Sequence, residues 1–169
     1  MSYNRIELPP AIWRDIMRHA LSDETVEVCG LLTGAFRLDG KGSERHEVAV
    51  IKEFIPITNI FPDPAIFFKM DPYEQKVVFD RIGVDIKAVV GCFHTHPFGL
   101  GIPSELDRLS INEDYSWLIY GGQDNKIQAW WPEIKERPCD SCCSQPEECK
   151  EVIIEKRFRG ALLKEKRIE

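Results

Sequence analysis

Hydrophobic and polar positions along this chain fall into two periods. Ile12, Trp13, Ile16, Met17, Ala20 and Leu21 recur at helical spacing behind Pro9 and Pro10. Proline in a first helical turn removes no hydrogen bond the helix needs, so a helix ending near Ser22 is predicted. Val26 to Thr33 is a strand-like apolar run closed by Gly34, and Val48 to Ile57 is a second extended stretch. Between them, Phe36 to Glu44 carries Asp-Gly and Lys-Gly pairs and reads as a turn. Phe61 to Ala65 holds two prolines and reads as a loop.

Asp71-Pro72-Tyr73-Glu74 joins a cap residue, a proline at the first position and an acid at the third, which together start a helix. Its expected buried face is Tyr73, Val77, Val78 and Ile82, and Gly83 ends it. Ala88 to Phe93 is continuously apolar, as a strand covered on both faces should be. His94 to Pro103 is a loop, and Ser104 opens a third helix reaching about Glu113. Trp117 to Tyr120 and Ile127 to Trp131 are short strands around the turn Gly121 to Asn125. Arg137 to Lys150 is irregular and cysteine-rich, and Val152 to Glu155 is a last strand before a charged tail. Helices interleaved with a hydrophobic sheet predict an α/β or α+β domain.

The chain has 169 residues and no internal repeat, so one domain is expected. Its net charge of −6 speaks against a nucleic-acid partner. No apolar run approaches the ~18 residues of a membrane span. Met1 to Pro10 lacks the apolar core of a secretory signal. These features predict a soluble, cytoplasmic protein.

The informative stretch is His94-Thr95-His96-Pro97, followed by Ser104 and Asp107. Side chains two apart on a strand point the same way, so the two imidazoles share one face. Two imidazoles and a carboxylate can hold a catalytic zinc with its fourth position open. Such an ion lowers the pKa of a bound water toward 7. Ser104-Glu105-Leu106-Asp107 is also an ordinary capping box, and the two readings are compatible, because an acid in a helix's first turn can both face the dipole and bind a metal.

The spacing His94-x-His96, seven residues, Ser104, two residues, Asp107 resembles the motif of the JAMM, or MPN-plus, metalloproteases. The resemblance continues in Glu27-Val28-Cys29-Gly30-Leu31-Leu32-Thr33-Gly34, in His19-Ala20, in Asn59 and in Phe68 to Asp71, and spans about residues 5 to 132. It implies a mixed central sheet flanked by helices, similar to the cytidine-deaminase architecture. It further implies that His94, His96 and Asp107 bind Zn²⁺, that Glu27 accepts a proton from the attacking water and passes it to the leaving amine, and that Ser104 stabilises the oxyanion. An acid inside the run Val26 to Leu32 is costly to bury without a partner, which supports a role for Glu27; the alternative is an acid at a strand edge facing solvent. Thr95 stands where the family has serine or threonine, and Pro97 sets the loop's exit. Cys29 and Cys92 read as small core residues.

Residues 1–135 are therefore expected to form the catalytic domain, 136–150 a cysteine-rich insertion, and 151–169 a final strand and tail of the same domain. Cys139, Cys142, Cys143 and Cys149 could hold a second, structural Zn²⁺, form disulfides or remain a free reducible loop. Pro138-Cys139-x-x-Cys142 matches half of the zinc-deaminase signature, but no His-x-Glu accompanies it. The family resemblance implies hydrolysis of amide bonds at the C-terminus of ubiquitin-like or sulfur-carrier proteins, either as an isopeptidase or by trimming a carrier. The alternatives are a catalytically silent scaffold of the MPN-minus kind and a non-peptidase zinc hydrolase on the same site. Oligomeric state, a homodimer included, is left open by the sequence.

Overall fold

The computed structural model describes residues 5–83, 88–111, 115–138, 152–160 and 162–165. Its elements are β1 (Arg5–Leu8), α1 (Pro10–Ala20), β2 (Cys29–Asp39), β3 (His46–Ile57), α2 (Pro72–Ile82), β4 (Val89–His96), α3 (Glu105–Leu109), β5 (Ser116–Gly121), β6 (Lys126–Pro138), β7 (Val152–Gly160) and β8 (Leu162–Glu165). The strands form one eight-stranded sheet in the order β7-β6-β5-β4-β2-β3-β1-β8. Pairing is parallel for β1–β3, β1–β8 and β4–β5 and antiparallel elsewhere, so the sheet is mixed, as expected.

β7 and β8 sit at opposite ends of that order, yet Gly160 and Leu162 are separated by a single residue. The sheet must therefore curl until its two ends meet. The concave side encloses α1: Ile12, Ile16 and Ala20 pack with Ile6, Leu8, Ala49, Ile51, Val90, Phe93 and Leu118 in the main core. The opposite side carries two smaller clusters. One groups Cys29, Phe68, Cys92 and Trp117, and the other groups Leu31, Ile57, Val78 and Val89 against α2. β4 is buried along its length apart from its last residue, as its unbroken apolar run requires.

Several expectations are corrected. The strand that begins near Val26 in the sequence starts at Cys29, so Glu27 and Val28 lie just outside it. The same strand runs to Asp39, through half of the segment read as a turn; Arg37 and Asp39 belong to it because they pair with Val48 and His46 of β3, and on its surface Arg37 bridges Asp39 and Glu7. On α2 only Val78 is buried, while Tyr73 and Val77 are 74% and 52% exposed. The third helix stops at Leu109. β6 extends to Pro138, past the expected strand end at Trp131. The charged tail supplies most of β7 and all of β8, which pairs with β1. β1 itself has too few residues to show a period. The segment with Cys139, Cys142, Cys143 and Cys149 lies outside the described residues. Cys29 and Cys92 are buried free thiols in the core, as expected. Among the described residues no helix is long and apolar enough to cross a membrane.

Candidate metal centre

His94 and His96 end β4, and their alternation places both side chains on the face carrying the smaller clusters. Their Nε2 atoms lie 3.0 Å apart. Asp107 enters from α3, with Oδ1 at 3.2 Å from His94 Nε2 and Oδ2 at 3.2 Å from His96 Nε2. Glu27, just before β2, places its Oε1 at 3.9 Å from His96 Nε2. The sequence-predicted residues Glu27, His94, His96, Ser104 and Asp107 are thus brought together, and all but His96 and Ser104 are buried.

Each group is held by identifiable contacts. The His96 Nδ1 contact with the Leu100 carbonyl (2.9 Å) requires the proton on Nδ1, because a carbonyl only accepts; the Nε2 lone pair then faces the cluster. His94 is held by its ring's neighbours instead. Phe68 stacks on it with centroids 4.4 Å apart, and Trp117 meets it edge-on at 5.6 Å. Asp107 belongs to a complete capping box. Its N–H donates to Ser104 Oγ (3.1 Å), and its Oδ2 accepts from the Ser104 N–H (2.6 Å) and Oγ (2.8 Å). Ser104 is therefore the helix cap, and it also fixes the carboxylate that faces both histidines.

The loop between His96 and α3 is locked onto the β5–β6 turn. Gly122 N–H donates to the His96 carbonyl (2.9 Å) and Gln123 N–H to the Gly99 carbonyl (3.0 Å), while Trp130 Nε1 donates to the Gly101 carbonyl (2.8 Å). The approach is so close that a Cβ on Gly122 would lie 2.1 Å from the Pro97 carbonyl oxygen. Glycine is needed there for space.

Burial pushes the Glu27 carboxyl up to about 8; the nearby His96 opposes this and Asp107 adds to it. Burial likewise lowers His94, with Asp107 opposing. For His96 burial acts downward, but the hydrogen bond and charge of Asp107, the Leu100 carbonyl and Glu27 outweigh it, and the net shift is upward. Burial would raise Asp107 as well, yet the two imidazoles and the Ser104 N–H hold it far below the usual carboxylate range. Asp107 is the ionised member of the cluster.

This donor set fits a cation. Asp107 Oδ1 and Glu27 Oε2 are buried oxygens without a hydrogen-bond donor, and a lone pair of His96 faces the same point. Ligand atoms of a tetrahedral zinc site, bonded at 2.0–2.2 Å, stand about 3.4 Å apart, close to the triangle formed by His94, His96 and Asp107. Glu27, His94 and His96 also offer atoms within 4.8 Å of one another.

The family model for prokaryotic homologs of the JAB domain matches residues 9–133, well over half of the chain. The chain belongs to the prokaryotic JAB-domain family. A curated relative is the desampylase of Haloferax volcanii, 28% identical over 124 residues, covering 71% of this chain and 79% of that protein. The solution structure of a Desulfitobacterium hafniense protein is similar in fold, with a TM-score of 0.62 at 22% identity, over 95% of this chain and 94% of that one. The JAB-domain match bears out the JAMM resemblance and the mixed-sheet fold, and with the desampylase relative it makes this JAB-domain chain a hydrolytic enzyme of the isopeptidase kind.

Sequence reasoning assigned no role to Asn59, Phe68, Trp117 or the Leu100 carbonyl, all of which touch this JAB-domain site or its supports. Phe68 and Asn59 lie in an irregular stretch whose contacts are long-range, so no periodicity marks them.

Proposed function

We propose that this chain hydrolyses the amide linkage at the C-terminus of a ubiquitin-like modifier, with Zn²⁺ held by His94, His96 and Asp107. The observation that carries the reading is the triangle of 3.0 Å and 3.2 Å separations among these three side chains, with Glu27 one step further out at 3.9 Å from His96. The relative's name, desampylase, supports a small ubiquitin-like protein as substrate. A bound zinc would supply Lewis acidity, polarising the scissile carbonyl and making water a nucleophile near neutral pH.

The chain's own groups do the rest. Asp107 keeps its charge, because the imidazoles and the Ser104 N–H favour the ionised form. The His96 Nδ1–H bond to Leu100 fixes the ring so that Nε2 faces inward. Glu27 is the proton carrier: its carboxyl is buried, with one oxygen unpaired and the other 3.9 Å from His96 Nε2, so it can take a proton from water and give it to the leaving lysine amine. Ser104 Oγ, at the mouth of α3, would serve the oxyanion by turning toward it the single hydroxyl hydrogen that here donates to Asp107 Oδ2, while still capping the helix as an acceptor.

The test uses a ubiquitin-like protein joined through its C-terminal Gly-Gly to a lysine side chain. Zinc-loaded wild type should release the free modifier; chelation should stop it and zinc should restore it. Glu27→Gln should keep the metal and lose roughly 10²-fold or more in turnover. Cleavage that is indifferent to chelation, or full turnover by Glu27→Gln, would overturn the reading.

A further inference from the structure

We propose that Asn59 is the positioning residue for Glu27: its amide fixes the main chain from which the Glu27 carboxylate hangs. The proposal rests on the reading of Glu27 as proton carrier.

Glu27 precedes β2, so no strand ladder sets its direction. Its carboxylate has no side-chain tether either: Oε2 is unpaired, and Oε1 stands 3.9 Å from His96. Its placement comes from main-chain anchors. The Glu27 N–H donates to the Pro64 carbonyl (2.6 Å), and the Glu27 carbonyl accepts from Asn59 Nδ2 (2.8 Å). One residue on, Val28 is clamped to β4: its N–H donates to Thr95 Oγ1, and its carbonyl accepts from the Thr95 N–H, both at 3.0 Å.

Both anchors on Glu27 come from the loop between β3 and α2, and Asn59 also closes that loop. Its Nδ2 donates a second time, to the Phe67 carbonyl (3.1 Å). Its Oδ1 accepts from the Phe61 N–H (2.9 Å) and the Lys69 N–H (3.0 Å). Every hydrogen-bonding site of the amide is used, and every partner is main chain. This network also fixes which way the amide faces, since two carbonyls and two N–H groups surround it. Aspartate lacks the two donors, and glutamine is a methylene too long. A single side chain thus ties both ends of the loop to the residue that carries the proton. Thr95 holds the other flank, so the Glu27 segment is pinned between the loop and the strand that ends in the two histidines. A misplacement of about 1 Å at a reacting group can cost roughly 10²-fold in rate.

The experiment is a double-mutant cycle on the full-length, zinc-loaded chain. Asn59→Asp, Glu27→Gln and the double variant are assayed on the isopeptide-linked conjugate, per folded molecule, with zinc per chain and amide exchange at Glu27 measured in parallel. Asn59→Asp is expected to lower kcat by roughly 10²-fold, to leave KM within about twofold and zinc content unchanged, and to speed exchange of the Glu27 N–H. In the Glu27→Gln background it should lower kcat by no more than about twofold, because what it positions is gone. Unchanged kcat for Asn59→Asp, or a full-sized further loss in the Glu27→Gln background, overturns the proposal while leaving Glu27 as proton carrier. Full turnover by Glu27→Gln alone removes that reading and this proposal together. Should Asn59→Asp not fold, Asn59→Ser, which keeps one short donor and acceptor, takes its place in the cycle, with the same results expected and the same results overturning the proposal.

Discussion

Replacing Ser104 by alanine separates three effects of one hydroxyl. The first is structural. Ser104 Oγ accepts the Asp107 N–H at 3.1 Å as the cap of α3, and removing such a cap costs about 1 kcal/mol. The same oxygen donates to Asp107 Oδ2 at 2.8 Å, a hydrogen bond to an ionised group, which contributes about 1.5–3 kcal/mol where the acceptor is left unpaired. The Ser104 N–H still reaches Oδ2 at 2.6 Å after the change, so the loss should sit near the lower end. A total of about 2.5 kcal/mol corresponds to a fall in Tm of roughly 5–10 °C for a domain of this size. The second effect is on the metal. Losing a partner that orients a ligand typically weakens binding about 10- to 100-fold. The third is on chemistry: at saturating zinc, loss of an oxyanion donor should still lower kcat by roughly 10². Melting of the metal-free protein, a competitive zinc titration and turnover at excess zinc measure the three effects independently. Wild-type turnover at excess zinc would refute the oxyanion role, and unchanged zinc affinity would refute the claim that the hydroxyl orients Asp107.

Two further outcomes follow from the same geometry. Glu27, with its carboxyl raised by burial to about 8, binds a proton in the folded chain that it loses near 4.5 when unfolded, so its contribution to stability is present at low pH and disappears as pH rises through about 8. In chelated protein, wild type should therefore lose stability relative to Glu27→Gln between about pH 5 and pH 8, measured by denaturant titration; a pH-independent difference would contradict it. Gly122→Ala forces a Cβ to 2.1 Å from the Pro97 carbonyl, so the loop that holds His96 must move. It should cost about 1–3 kcal/mol and weaken zinc binding, and normal zinc affinity with a normal Tm would show that the loop is not locked there.

What the sequence revealed tracks how local each signal is. The Asp71-Pro72 start of α2 and the Ser104 box of α3 were legible because a cap is written in four adjacent residues, and Asp71 does accept from the Tyr73 and Glu74 N–H groups. The histidine pair was legible because strand alternation alone aligns the two rings. The length of β2 was hidden: Arg37 and Asp39 look like turn residues, and only their ladder with Val48 and His46 of β3 makes them strand. Tyr73 and Val77 misled because helical spacing cannot say which apolar stripe faces a core. β8 and the curl of the sheet depend on pairing with β1 at the other end of the chain, which no local pattern encodes. The burial of Glu27 was inferred from its apolar neighbours, but its anchorage was not, because Asn59 acts through main-chain groups scattered from Glu27 to Lys69.

The place where the metal binds is the most direct thing to measure. Changing Cys139, Cys142, Cys143 and Cys149 to serine removes the competing thiols, and elemental analysis then counts what the remaining residues hold. About one zinc per chain is expected in that variant, with isopeptide cleavage retained, and both should be lost when His94, His96 and Asp107 are then replaced. A zinc-free cysteine variant, or zinc that persists after the three residues are removed, would contradict a metal centre at the end of β4.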